Sequence, residues 1–291
     1  MFAKHVTTSI GGGRRDERTV NFTYFKDRSW KGYDWLARKA IRLPPNMART
    51  AFGAIGPMLW AGWLVPGTPV RQTFADLARV SGRGTAKQIV RSYIRNFVRA
   101  TYRMEILRHR GPDEIAAMLR CPDRARLDAL LERGGVILVM PHAHASILAA
   151  AALAQDYSML LLARSTKNDA RAAWQNEYYD RMSCEVLDVR RADDVVASRA
   201  LLSALRSGKI VLAAGDFLNK PPVEPEDPER DVVRVEAFSE PVGAMRWPAR
   251  FGAKVKAPIV PVMISQNDTQ ITLHLGDAIE PGDMVETTQG W

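Results

Sequence analysis

The sequence predicts an α/β protein: a mixed, mostly parallel sheet with crossover helices, preceded by a basic helical N-terminal region. Three observations predict it. From Gly134 onward, short uninterrupted runs of Val, Ile, Leu and Met alternate with helical patterns, and strands buried on both faces read this way. Before Gly134 the apolar residues recur at three- and four-residue spacing, the mark of amphipathic helices. The charge divides at the same point, with 25 Lys and Arg against 11 Asp and Glu in residues 1–133, and 16 against 21 in residues 134–291.

A chain of 291 residues that is 46% hydrophobic and 25% charged has the material for a sizeable core, which excludes wholesale disorder. Cys121 and Cys184 are its only cysteines, too few and too distant for a disulfide framework or a metal spacing, so a reducing compartment is expected. Met1 to Arg18 lacks the apolar core of a signal peptide and carries Gly11-Gly12-Gly13-Arg14-Arg15. We read 1–30 as a flexible basic tail, 31–133 as a helical region facing a membrane or carrier, and 134–291 as the α/β core. The basic surplus of the first half points to an anionic partner: a membrane surface, an acidic carrier protein or nucleic acid.

Within the first half, Ala51 to Val65 has 15 residues without a charge. A membrane span needs about 20, and Gly53, Gly56, Pro57 and Gly62 weaken any straight helix. Upstream, Phe22, Tyr24, Phe25, Trp30, Tyr33 and Trp35 interleave with Lys26, Arg28, Lys31, Arg38, Lys39 and Arg42. That mixture suits a bilayer interface, where rings lie at headgroup level and cations meet anionic lipid; packing against the protein's own core is the competing reading. Between Thr85 and Leu107 the stripe Val90, Tyr93, Ile94, Phe97, Val98, Met104 predicts a helix. Lys87, Arg91, Arg95, Arg99 and Arg103 form a basic row on another face, with no acid before Glu105 to neutralise it. Helices are also expected over 112–119 and 123–133.

In the second half, strands are expected at 135–140, 158–163, 185–189, 209–214, 258–264 and 270–275, and helices at 145–155, 168–182, 193–206 and 241–252. Asn219 to Arg230, with four prolines and three glutamates, reads as a loop over the site.

The most informative run is Gly134-Gly135-Val136-Ile137-Leu138-Val139-Met140-Pro141-His142-Ala143-His144. A strand climbs out of a Gly-Gly turn and delivers two histidines at its carboxyl end, where open α/β sheets carry their chemistry. Imidazole suits proton transfer near neutral pH; the plain alternative is two ordinary loop residues. Other strands also end in polar groups: Arg164 to Asn168, then Gly215-Asp216, then Phe238-Ser239-Glu240. No Gly-rich phosphate loop stands in a strand-turn-helix context. His5, His109 and His274 are scattered, so no metal cluster is legible.

In this order the blocks resemble the bacterial lipid A late acyltransferase (lauroyl/myristoyl acyltransferase) family, within the lysophospholipid/glycerophosphate acyltransferase superfamily. The resemblance covers about Pro66 to Gly282. It rests on Gly135 to His142, on Arg164 and Asn168, on Ile210 to Asp216, and on Phe238-Ser239-Glu240-Pro241-Val242-Gly243. It implies acyl transfer from a thioester co-substrate, carried by acyl carrier protein or CoA, with no other cofactor and no metal. His142 would be the general base, with His144 beside it. Arg164 and Arg246 would hold phosphate, and Asn168, Asp216 and Glu240 would line the substrate site. The protein would sit peripherally at the inner face of the cytoplasmic membrane.

One position departs from the pattern. The family's His-x4-Asp/Glu acid is replaced by Ile147, and starting from His144 instead lands on Ala149. By analogy with the carboxylates of serine-protease triads, loss of the orienting acid would cost several orders of magnitude in rate. His142 would then be oriented by a backbone carbonyl, Ser146, Asp216 or Glu240, or the acceptor would be an amine that needs less help. Three classes stay open: an acyltransferase acting on a lipid or specialised metabolite, a catalytically impaired relative that binds acyl chains or a carrier protein, and a transferase using an aminoacyl-tRNA donor.

Overall fold

The computed structural model describes residues 32–64, 69–215, 219–237 and 240–290. The expected tail, the aromatics Phe22 to Trp30 and Asp216 lie outside the described residues.

The first half is helical: α1 (32–40), α2 (Pro45–Gly53), α3 (Ile55–Leu64), α4 (Pro69–Ser81), α5 (Arg83–Arg110) and a single turn, α6 (Asp113–Ala116). The apolar stretch is divided between α2 and α3 at Ala54, and no described helix is long and apolar enough to cross a membrane. The helix expected over 112–119 is cut short. Leu119–Arg120 (β1) instead pairs with Ile271 and Thr272 at a sheet edge, so tertiary pairing overrides local propensity.

The chain then runs α7 (Arg124–Glu132), β2 (Val136–Met140), α8 (Ser146–Leu153), β3 (Met159–Ala163), α9 (Asp169–Tyr179), β4 (Glu185–Asp188), α10 (Asp194–Arg206) and β5 (Ile210–Ala214). After β6 (Glu226–Asp227), β7 (Val232–Ala237) and β8 (Glu240–Met245) come α11 (Trp247–Val255), β9 (Ile259–Gln266), β10 (Ile271–Leu275) and α12 (Met284–Gln289). Seven strands form one sheet in the order β1-β10-β9-β2-β5-β3-β4. From β9 to β4 every pairing is parallel, and β10 runs antiparallel to β9. The sheet is therefore mixed and mostly parallel, with helices on both faces.

β2 shows how the layers form. Val136, Leu138 and Met140 join one buried cluster with Ile106, Leu107 and Leu148, while Ile137 and Val139 join a second with Leu201, Leu205 and Phe251. Alternate residues of one strand thus serve α5 and α8 on one side and α10 and α11 on the other. The turn before β2 needs its glycines. Gly134 has φ +142°, and a Cβ on Gly135 would meet the Leu205 carbonyl oxygen at 2.3 Å.

Two expectations for the later segment fail. Residues 240–245 are a strand, not the start of a helix, and α11 begins only at Trp247, with Pro248 in its first turn. The 219–230 segment is not a bare loop, because it contributes β6 to a small antiparallel sheet β6-β7-β8. The hairpin wins because it buries Val233, Val235 and Ala244 together. It also lets Asn219 exchange backbone hydrogen bonds with Gly243, where a Cβ would meet the Lys220 carbonyl at 2.7 Å.

Candidate active site

The strand order sets β2, β5, β3 and β4 side by side, so their carboxyl ends form one edge. At about 4.8 Å per strand, the ends of β2 and β3 lie about 10 Å apart. His142 emerges exposed just past β2. Its loop is a tight turn: the Ala143 amide donates to the Pro141 carbonyl at 2.7 Å, and the Ser146 amide donates to the Ala143 carbonyl at 3.0 Å. The Ser146 hydroxyl donates to the Pro141 carbonyl at 3.0 Å and accepts from the Ala143 amide at 3.1 Å. A hydroxyl has one proton to give, so Ser146 shapes the turn and has none left for the imidazole. Ile147, five residues past His142, packs half-buried against the same apolar cluster as α8.

His144 points elsewhere. Its ring meets the rings of Tyr93 and Phe97 edge-on, at centroid distances of 4.6 and 5.0 Å. Its buried Nε2 has no hydrogen-bond partner among the described residues. Burial holds its pKa below the ordinary histidine value. The ring is thus a neutral wedge fastening the loop after β2 to α5.

Just past β5, the Gly215 amide donates to the Met140 carbonyl at 2.9 Å, so residue 215 lies against the start of the histidine loop. Beyond β3, Arg164 is exposed and makes no ion pair among the described residues. Its loop is held by Asp188 at the end of β4, whose carboxylate accepts from the Ser165 amide at 3.2 Å and the Arg190 amide at 3.0 Å. Burial opposes ionisation of Asp188, yet hydrogen bonds from Ser165 and Arg190 hold its pKa below the usual carboxylate value. Arg190 closes the arrangement by donating to the Ser165 carbonyl at 2.6 Å. Asn168 caps α9, its side-chain oxygen accepting from the Arg171 amide at 3.0 Å.

The remaining candidates do not gather at this edge in the same way. Arg246 is bound within the small-sheet region, with Glu226 at 2.6 Å and Asp231 at 3.0 Å, so its guanidinium already has two carboxylate partners. Glu240 is exposed at the start of β8, opposite Ala237. Among the described residues no three His, Cys, Asp or Glu side chains converge as a metal site would require.

Two features escaped the sequence reading. Asp188 follows the same strand-end pattern as His142 and Arg164, which was the signal available. Tyr93 and Phe97 read only as part of the apolar stripe of α5, and nothing local shows that they receive His144. The edge as a whole offers an exposed imidazole and, two strands away, an exposed guanidinium on a backbone fixed by hydrogen bonds. Such a pair suits proton abstraction beside an anionic substrate group.

A family model described as bacterial lipid A biosynthesis acyltransferase matches residues 41–282, from the end of the first helix to just beyond the last strand. No curated protein matches the chain.

Proposed function

The chain belongs to the bacterial lipid A biosynthesis acyltransferase family, and on that premise we propose that it moves an acyl group from a thioester donor to a hydroxyl or amine of a lipid, with His142 as general base. The observation that carries this reading is the exposed position of His142 at the carboxyl end of the central strand. The imidazole takes the acceptor's proton as its oxygen or nitrogen attacks the thioester carbonyl. A C–O or C–N bond forms, the C–S bond breaks, and the thiolate leaves with the proton returned by the imidazolium. Arg164 binds a phosphate of the donor or the acceptor, as its free guanidinium permits. Acyl carrier protein or acyl-CoA supplies the acyl group. The surplus of basic residues in the first half supports work at the inner face of the cytoplasmic membrane.

The apolar setting of Ile147 favours a second reading, in which the fold binds acyl chains without transferring them. One experiment separates the two. Acyl-carrier-protein and acyl-CoA donors are offered with a bacterial lipid extract to the wild type, His142→Ala and Ile147→Glu, and products are followed by mass spectrometry. Transfer by the wild type that disappears in His142→Ala supports the enzyme. A product formed by Ile147→Glu and not by the wild type supports a binding protein that has lost its acid. A product indifferent to His142 overturns the base assignment.

A further inference from the structure

α5 has two unlike flanks. Tyr93 and Phe97 receive His144, while Arg91, Ile94, Arg95 and Val98 line a groove of about 450 Å³ whose far wall is α2 and α3. Arg49 of α2 faces this groove across from Arg91 and Arg95. None of these three guanidiniums makes an ion pair with a described residue, although the charge of Arg49 acts on Asp268 from a greater distance. The fourth arginine of the lining, Arg99, is neutralised by Asp268 at 2.7 Å, and Asp268 is the one acid in the lining. Gly53, Pro57 and Trp60 complete an apolar wall. Next to that wall on α3, Met58 is 73% exposed.

We propose that this groove binds an anionic phospholipid, its phosphate between Arg49 and the Arg91–Arg95 pair and its glycerol and first methylenes against Pro57, Trp60 and Ile94. Guanidiniums on opposite walls suit a phosphate, which accepts paired hydrogen bonds from each. The apolar lining and the exposed Met58 favour a lipid over a soluble phosphate. A cleft of this volume admits a small molecule or headgroup but not the folded surface of a carrier protein. The proposal rests on the membrane-facing reading of the first half and not on acyl transfer.

Gly53 supplies a test that leaves every charge in place. A Cβ there would have nothing within 4 Å, so the backbone accepts a side chain at this position and Gly53→Trp brings an indole to the groove wall. Full-length protein is mixed with phosphatidylcholine vesicles with and without phosphatidylglycerol, and the bound fraction is measured by flotation. The wild type binds the anionic vesicles; Arg91→Ala/Arg95→Ala weakens binding by about fivefold per arginine removed, and Gly53→Trp weakens it by at least tenfold. The double variant Arg206→Ala/Lys254→Ala, which removes the same charge from exposed sites elsewhere, binds as the wild type does. Circular dichroism and melting confirm that each variant is folded.

Anionic-vesicle binding untouched by Gly53→Trp overturns the groove while leaving surface attachment standing. Absence of wild-type binding to anionic vesicles overturns both. Displacement of bound vesicles by glycerol 3-phosphate at concentrations that leave ionic strength unchanged overturns the lipid in favour of a soluble phosphate. Loss of acyl-carrier-protein binding in Gly53→Trp with vesicle binding intact assigns the groove to the carrier instead.

Discussion

The two halves of α5 carry the same residue type at nearly the same spacing and use it in opposite ways. Lys87, Arg91 and Arg95 stand exposed, whereas Arg103 and Arg108 are buried and bonded. Arg103 donates to the Gln266 side chain at 2.9 Å and to the Asn267 carbonyl at 2.8 Å. Arg108, with 1% of its side chain exposed, reaches Asp34, Glu105 and Glu177, joining α1, α5 and α9. Tyr33 donates to Glu105 at 3.2 Å. Burial raises the Glu105 pKa, while Asp34 and Glu177, although burial opposes them, are held low by hydrogen bonds from the arginines. Position along a helix, and not residue type, decides whether a cation becomes structure or stays available to a partner.

On that contrast, Arg108→Ala carries the largest penalty. It strands the fully buried Glu105 without its guanidinium, while Asp34 and Glu177 keep Arg38, and should cost about 3–5 kcal/mol in urea unfolding. Arg103→Met comes next, at about 1–3 kcal/mol, because Gln266 and the Asn267 carbonyl lose their donor. The middle of the helix gives an intermediate and pH-dependent result. The folded state keeps His144 neutral below its ordinary pKa, so the unfolded chain takes up the proton first as pH falls. Its contribution is present above about pH 6.5 and is lost as pH drops through the lower folded value. His144→Phe should therefore flatten the fall in melting temperature between pH 7 and pH 5; an unchanged profile would show that the ring is not held neutral. The smallest effect belongs to the exposed end, where Arg91→Ala and Arg95→Ala should shift stability by no more than about 0.5 kcal/mol. A larger loss there would mean that these cations are already partnered inside the fold.

The basic row read from the sequence was thus correct as a row and incomplete as chemistry. Arg99 looked unneutralised because its acid, Asp268, lies 169 residues away. The same limit governs the rest. The central strands β2, β5 and β3 were legible because strands covered on both faces are apolar throughout. The hairpin of β7 and β8 was not: Val233 to Glu236 alternates over only four residues, Pro241 and Gly243 break the pattern in β8, and the partner segment at Asn219 is brought in by the fold. His142 and Arg164 were legible from their place after strands. The engagement of Arg246 with Glu226 and Asp231 was not, because ion pairing across a small sheet leaves no local pattern.

The stitching of α5 to the turn after β9 also bears on synthesis. Arg103 and Gln266 are 163 residues apart, and β1 must wait for β10 before it has a neighbour. At translation rates of about 5–20 residues per second, roughly 10–30 s pass before the first half meets its last partners. Throughout that interval the nascent helices present an unfinished surface, with buried-to-be arginines still in water. This chain should therefore depend on a trigger-type chaperone or an early lipid contact during translation, and a ribosome stalled before β9 should display α5 as a protease-sensitive helix.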